Sequence, residues 1–280
     1  NNLIDNSSGE KSYQRFTPKL GLTYRLKEYS GIYANYSQGF APPGLTAIFR
    51  PKPNTTPTEF YYNLEPAYFD NYEVGGWTSI YKNKILLDVS IYRMDGKNEL
   101  LNIRQPDNST DYQSAGKTLH QGVEFGLNFK PSSQLAFRLG GTYAVHKFVD
   151  FTVSEKVTDA VRDYNNKIMP SAPKAIWNTE LSYYPKYLKN FRTSIEWQFV
   201  SKYYQNQINT IEYEGYSLFN LRVGYKWKGF EIYSNIMNIT DALYATNVTR
   251  GNFSNSTSTF TPSAPRNIVM GIQYNFISKK

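Results

Sequence analysis

The feature that most constrains this chain is a segment of about ten residues, repeated to its end, in which apolar side chains alternate with small or polar ones. That is the period of a strand with two unlike faces. In the last segment Ile268, Met270, Ile272, Tyr274 and Phe276 share one face, while Asn267, Gly271, Gln273 and Asn275 share the other. Phe219 to Trp227, Val123 to Phe129 and Ile85 to Ile91 alternate in the same way. Read along the chain, the pattern predicts eleven strands, starting near residues 17, 31, 68, 85, 118, 135, 174, 191, 216, 230 and 265. Composition agrees, because aromatics make up 16% of the chain and 25 residues are Tyr, a strand former. No run approaches the roughly 20 apolar residues of a spanning helix, and the mean hydropathy is −0.56. The fold class is all-β.

The connections sort by length. Short ones lie near Lys27 to Ser30, Tyr81 to Lys84, Lys130 to Ser133, Pro185 to Asn190 and Lys228-Gly229. Long ones lie near residues 40 to 66, 100 to 114, 150 to 172, 203 to 214 and 245 to 263, and they alternate with the short ones. An antiparallel meander with tight turns at one end and long loops at the other is the pattern of a transmembrane antiparallel β-barrel of an outer membrane. A soluble, secreted β-rich protein that binds glycans is the other reading, with the polar face turned to water. One face carries roughly one charge per strand: Arg25, Glu73, Asp88, Glu124, Arg138, Glu180, Glu196, Arg222 and Glu231. Aromatics gather at strand ends, where interfacial girdles belong. Tyr24, Tyr81, Tyr183, Tyr184, Tyr187, Tyr225, Trp227 and Phe276 mark the short-turn side. Tyr36, Phe40, Tyr68, Phe148, Tyr203, Tyr204 and Tyr244 mark the long-loop side.

Little points to catalysis. With no Cys, thiolate metal sites, Cys nucleophiles and disulfides are excluded. His120 and His146 lack a metal-ligand spacing and read as lone polar residues, and no nucleophile motif or phosphate-binding loop is present. No enzyme, no cofactor and no metal site is therefore expected. The net charge of +8 is scattered rather than gathered in a stripe, so no nucleic-acid partner is expected either. The first residues, Asn1 to Ser8, form no signal peptide in this numbering.

Five motifs, in order, give the chain a family resemblance. Phe16 to Tyr24 with Tyr33 to Pro43 comes first, followed by Leu64-Glu65-Pro66 with Tyr72-Glu73-Val74-Gly75 and by Gly122-Val123-Glu124. Asn235 to Asp241 with Tyr244, and Pro265-Arg266 leading to Tyr274-Asn275-Phe276, complete the set. Together they resemble the C-terminal barrel half of the TonB-dependent receptors of Gram-negative outer membranes. The resemblance implies about eleven strands of a 22-stranded barrel, with residues 1–280 a partial barrel domain from which the plug domain and the TonB box are absent. It implies an importer of a ferric siderophore or similar iron chelate, energised by TonB through the missing N-terminal part and embedded in outer-membrane lipid. A passive porin, or a receptor of the same family for haem, cobalamin or glycan, are the other readings. Loop residues Arg50, Lys52, Tyr61, Tyr62, Arg104, Gln105, Tyr112, Tyr204, Gln205 and Arg250 supply the cations and aromatics that such a chelate needs. Glu73 and Glu124 match the barrel glutamates that in this family contact the plug.

Overall fold

The alternating segments pair, each with the next, into one antiparallel sheet. The structure is a computed structural model that describes residues 10–52, 60–61, 63–104, 110–152, 163–253 and 256–276. The strands are β1 (Lys19–Lys27), β2 (Ser30–Ala41), β3 (Ala67–Ile80), β4 (Ile85–Arg104), β5 (Thr110–Phe129), β6 (Leu135–Asp150), β7 (Ala175–Tyr183) and β8 (Phe191–Val200). A small hairpin of β9 (Tyr203–Tyr204) and β10 (Glu212–Tyr213) follows, then β11 (Tyr216–Trp227) and β12 (Phe230–Met237). A second hairpin, β13 (Ala245–Arg250) with β14 (Ser258–Pro262), precedes β15 (Asn267–Tyr274). The sheet runs β1-β2-β3-β4-β5-β6-β7-β8-β11-β12-β15, with β1 and β15 at its edges. The tightest turn, Lys228-Gly229, places both residues at positive φ, which matches the twist of a two-residue hairpin.

Residues directly opposite in the register share a face, and they divide the sheet as the alternation requires. Val74, Ile91, Val123 and Tyr143 form one apolar row across β3 to β6. Asp88, Gly126, Gly140, Asn178 and Gln198 form a polar one. On the apolar face Leu20, Leu22, Ile91, Met270 and Ile272 are exposed, an arrangement that is costly in water and favourable against hydrocarbon. Its upper limit is an aromatic belt: Tyr36 packs on Tyr72 at 5.2 Å, and Trp177 stacks on Phe199 at 4.1 Å. Beyond Tyr36 and Tyr72 the same face turns polar, with Asp70 accepting from Tyr36 Oη (2.9 Å) and Gln38 Nε2 (2.8 Å). The lower belt includes exposed Tyr24, Tyr81, Tyr187, Trp227 and Phe276. Among the described residues no helix is long and apolar enough to cross a membrane.

Two expectations need correction. The stretch 100–114 is not a long loop, because β4 and β5 run through it and stay paired as far as Arg104 opposite Thr110. Phe148 and Tyr203 are not girdle residues, being 0% and 6% exposed. Phe148 lies in a separate apolar core with Phe151, Tyr164, Met169 and Phe253, against which Leu101, Ala172 and Ile208 pack. This core binds the loops after β6, β8 and β12 into one body. Asn252 Nδ2 donates to Tyr164 Oη (2.6 Å), and the Val248 and Ala245 amides donate to Tyr203 and Tyr213 Oη (3.0 Å each). Asn209 holds the backbone of Ile168 in both directions, its Oδ1 accepting at 2.8 Å and its Nδ2 donating at 2.7 Å.

Two outcomes test this architecture. Val89, on the apolar face opposite Gly76 and Phe125, should cost roughly 2–4 kcal/mol on replacement by Arg in a bilayer. Gln198→Lys, on the polar face, should change stability by no more than about 0.5 kcal/mol, and denaturant titration in lipid vesicles reads both. In the loop body, burial pushes the Tyr164 phenol up to about 12, with the Asn252 hydrogen bond opposing it. The folded body favours the neutral phenol, so this contribution is complete below pH 10 and is lost as pH rises towards 12. Near-ultraviolet circular dichroism should show the loop aromatics loosening across that window, and Tyr164→Phe should remove this component.

Candidate functional site

The polar face has two electrostatic halves. On β6 to β12 the charges satisfy one another: Glu180 accepts from Arg138 (2.6 Å) and Ser182 (2.7 Å), and Glu196 from Asn178 (3.1 Å), Asn220 (3.0 Å) and Arg222 (3.0 Å). Arg192 pairs with Glu231, which Lys226 also approaches at 3.5 Å. This network reaches the base of the loop after β12, because Asn220 Oδ1 accepts the Asn238 amide (2.8 Å) and Asn238 Oδ1 accepts that of Ala242 (2.9 Å). The Asn235 to Asp241 motif is thus a structural clasp, closed by Asp241 accepting the Arg266 amide at 2.9 Å.

On β3 to β5, among the described residues, Glu73, Asp88 and Glu124 stand on this face without that compensation. Among the described residues Glu73 accepts only a phenol, Tyr33 Oη at 2.5 Å. The Tyr33 ring reaches it by lying over Gly75, where an added Cβ would stand 2.6 Å from the ring. Asp88 and Glu124 meet no cation and accept no hydrogen bond among the described residues. Both line a recess of about 550 Å³ with Thr142, Asn178 and Gln198, floored by Gly140. Glu73 and Glu124 therefore present unneutralised carboxylates to whatever fills the space beside this face.

At the long-loop end four of the predicted ligand residues come together. After β2 a single helical turn, α1 (Leu45–Ile48), buries Ala47 and Ile48 and so fixes the chain that follows. The Pro51–Phe60 bridge closes the loop behind it. Arg50 lies over the Tyr112 ring, 5.7 Å from its centroid, and its Nη1 reaches Tyr112 Oη at 3.4 Å. Tyr112 meets Tyr61 edge to face at 5.4 Å, and Lys52 lies 5.9 Å from the Tyr61 ring. The β4–β5 arm, which carries Tyr112, is what meets the loop after β2.

The other predicted residues lie elsewhere. Tyr62 and Gln105 fall outside the described residues, and Arg104 closes β4. Gln205 is buried and structural: its Nε2 donates to Glu212 O (3.0 Å), its Oε1 accepts from Ser258 (2.6 Å), and its carbonyl accepts the Arg250 amide (2.9 Å). Tyr204 is tied to the loop body through its carbonyl, which accepts the Ser171 amide. The two histidines are not lone residues. They stand directly opposite on β5 and β6, Nδ1 to Nδ1 at 2.8 Å, with Glu99 Oε2 3.1 Å from His120 Nε2. The signal for that pairing lay in the hairpin register about the turn centred on Ser133, since residues equidistant from one turn meet across it.

Comparison with known proteins agrees with this architecture. Residues 1–239 match the family described as TonB dependent receptor-like, beta-barrel. The ferrioxamine receptor of Yersinia enterocolitica is 26% identical over 87% of this chain and 32% of its own length. The metal-pseudopaline receptor CntO of Pseudomonas aeruginosa is 24% identical over 55% of this chain and 19% of its own. Among solved structures, the siderophore receptor PiuA from Acinetobacter baumannii superposes with a TM-score of 0.70 at 22% identity, covering 91% of this chain and 35% of that one. The chain thus spans about a third or less of the length of these proteins. It belongs to the TonB-dependent receptor β-barrel family, transport receptors of the Gram-negative outer membrane rather than enzymes.

Proposed function

We propose that this chain forms wall and outer mouth of an active importer of a ferric siderophore or similar iron chelate, energised by TonB. The observation that carries the reading is the rim cluster of Arg50, Lys52, Tyr61 and Tyr112. Guanidinium and ammonium groups held on aromatic faces meet the oxygens and rings of a chelate by charge-assisted hydrogen bonds and stacking. Family membership and the chelate receptors among the similar proteins support the same class of ligand. Residues 41 to 66 contain no His, which favours a siderophore over haem.

In the full-length receptor, Arg50→Ala and Tyr112→Ala should each weaken chelate binding by roughly 1.5–3 kcal/mol where a direct charged contact is lost. Fluorescence quenching by the ferric chelate reads this. Unchanged affinity in the double variant would remove the cluster from the ligand path. Collapse of the proton-motive force should abolish uptake and leave binding intact; uptake that continues would mean a passive pore.

The acidic half of the wall fits a plug that presents cations. Glu73 and Glu124 each take a plug arginine in this reading, because a carboxylate half removed from water is stable as a charge only beside a cation or several donors. Replacing Glu124 by Ala should leave that cation unpaired, at a cost on the order of 3–5 kcal/mol in a dry site and less in a wet one. Plug unfolding should become easier while chelate affinity persists. Lost affinity with an intact plug would instead assign the carboxylate to the ligand path.

A further inference from the structure

We propose that His120 and His146 form a two-imidazole site for a borderline divalent transition-metal ion, with Cu2+ bound most tightly, on the polar face near the long-loop end. Their Nδ1 atoms face each other at 2.8 Å across directly opposed positions of β5 and β6. His120 Nε2 lies 3.1 Å from Glu99 Oε2 and 3.3 Å from Thr118 Oγ1. A carboxylate only accepts, so Nε2 of His120 carries the hydrogen and its Nδ1 keeps a lone pair. That is the arrangement in which a second-shell carboxylate orients a metal-binding imidazole. The hydrogen between the rings then belongs to His146, and on metal binding it moves through water to His146 Nε2, which frees the second Nδ1 lone pair without net release of a proton.

The geometry is close to what an ion needs. Two metal–nitrogen bonds of about 2.0–2.1 Å set the nitrogens roughly 2.9 Å apart at the right angle of a tetragonal Cu2+ site and roughly 3.3 Å apart at a tetrahedral one, so the rings need separate by no more than about half an ångström. Glu99 reaches this face because Asn98, at φ 56°, turns β4 over just before it. Phe69 closes one side, its ring 6.5 Å from that of His120. Met94 stands directly opposite His120 on β4. Among the described residues no three carboxylates or imidazoles converge on one point, so the protein supplies two nitrogens and leaves other positions for water or an exogenous ligand.

The test uses the full-length receptor in detergent, free of chelate, titrated with the chlorides of Cu2+, Ni2+, Zn2+ and Mg2+ and read by calorimetry and, for Cu2+, by electron paramagnetic resonance. Wild type should bind one Cu2+ more than the H120F/H146F double variant, with Ni2+ and Zn2+ weaker and Mg2+ absent from the site. Glu99→Gln keeps both imidazoles and should weaken that ion by about 10–100-fold. Equal stoichiometry in wild type and double variant would overturn the proposal. Should the double variant fail to assemble, unchanged Cu2+ affinity in Glu99→Gln, or a wild-type copper spectrum without coupling to two nitrogens, would overturn it as well. Chelate binding is measured separately, so failure here leaves the rim cluster untouched.

Discussion

Everything in this structure depends on pairing every backbone N–H and C=O where no water can reach them. In hydrocarbon each unpaired group costs several kcal/mol, which leaves a strand-built wall no option but an unbroken ladder. The eleven-stranded order without crossover is that ladder. Once it is imposed, the alternation of side chains decides the rest: one set must suit lipid, and the opposite set is free to carry charge. The exposed Leu, Ile and Met of the apolar face and the carboxylates of the polar face are two consequences of one constraint.

Because the ladder is satisfied by backbone alone, the polar face can be spent on recognition. Its two halves use that freedom differently. Between β6 and β12, Arg138, Arg192, Arg222 and Lys226 neutralise Glu180, Glu196 and Glu231 within the wall, so that surface is complete in itself. Between β3 and β5, Glu73, Asp88 and Glu124 meet no cation among the described residues of the wall. A half-desolvated carboxylate without a cation is stable only beside water or beside a partner that brings one. Charge placement alone therefore gives the lumen a direction, with cations welcome on one side and redundant on the other.

The strands were legible because a period of two survives any loop length. Ten of the eleven sheet strands start within two residues of the positions marked by alternation. The exception is β5, which begins at Thr110 rather than near 118, since beyond the lipid band both of its faces meet polar surroundings and the alternation fades. The rim cluster was legible as residue types, and Arg50, Lys52, Tyr61 and Tyr112 do meet. Gln205 marks the limit of residue type as a signal, because a polar side chain in a loop looks the same in sequence whether it faces a ligand or, as here, stitches two hairpins together. The histidine pair was hidden for the opposite reason: its partners are 26 residues apart, and only the register of a hairpin joins them.

The loops of the rim are consequently held in two different ways. The loops after β6, β8 and β12 share a core of Phe148, Phe151, Tyr164, Met169 and Phe253, and hydrogen bonds cross between all three. Opening one of them would expose the aromatic core and leave buried donors such as the Val248 amide unpaired, a cost that none of the loops meets alone. The loop after β2 is anchored by the buried helical turn, by buried Tyr61 and by the Pro51–Phe60 bridge, and Arg50 reaches across to Tyr112 through a ring contact and one long hydrogen bond. The Arg50–Tyr112 contact is weak individually. A ligand that displaces Arg50 from Tyr112 therefore replaces one cation–ring contact with its own, whereas a ligand that entered through the loop body would first have to unfold it. The β2–β5 side of the mouth stands above the acidic half of the wall.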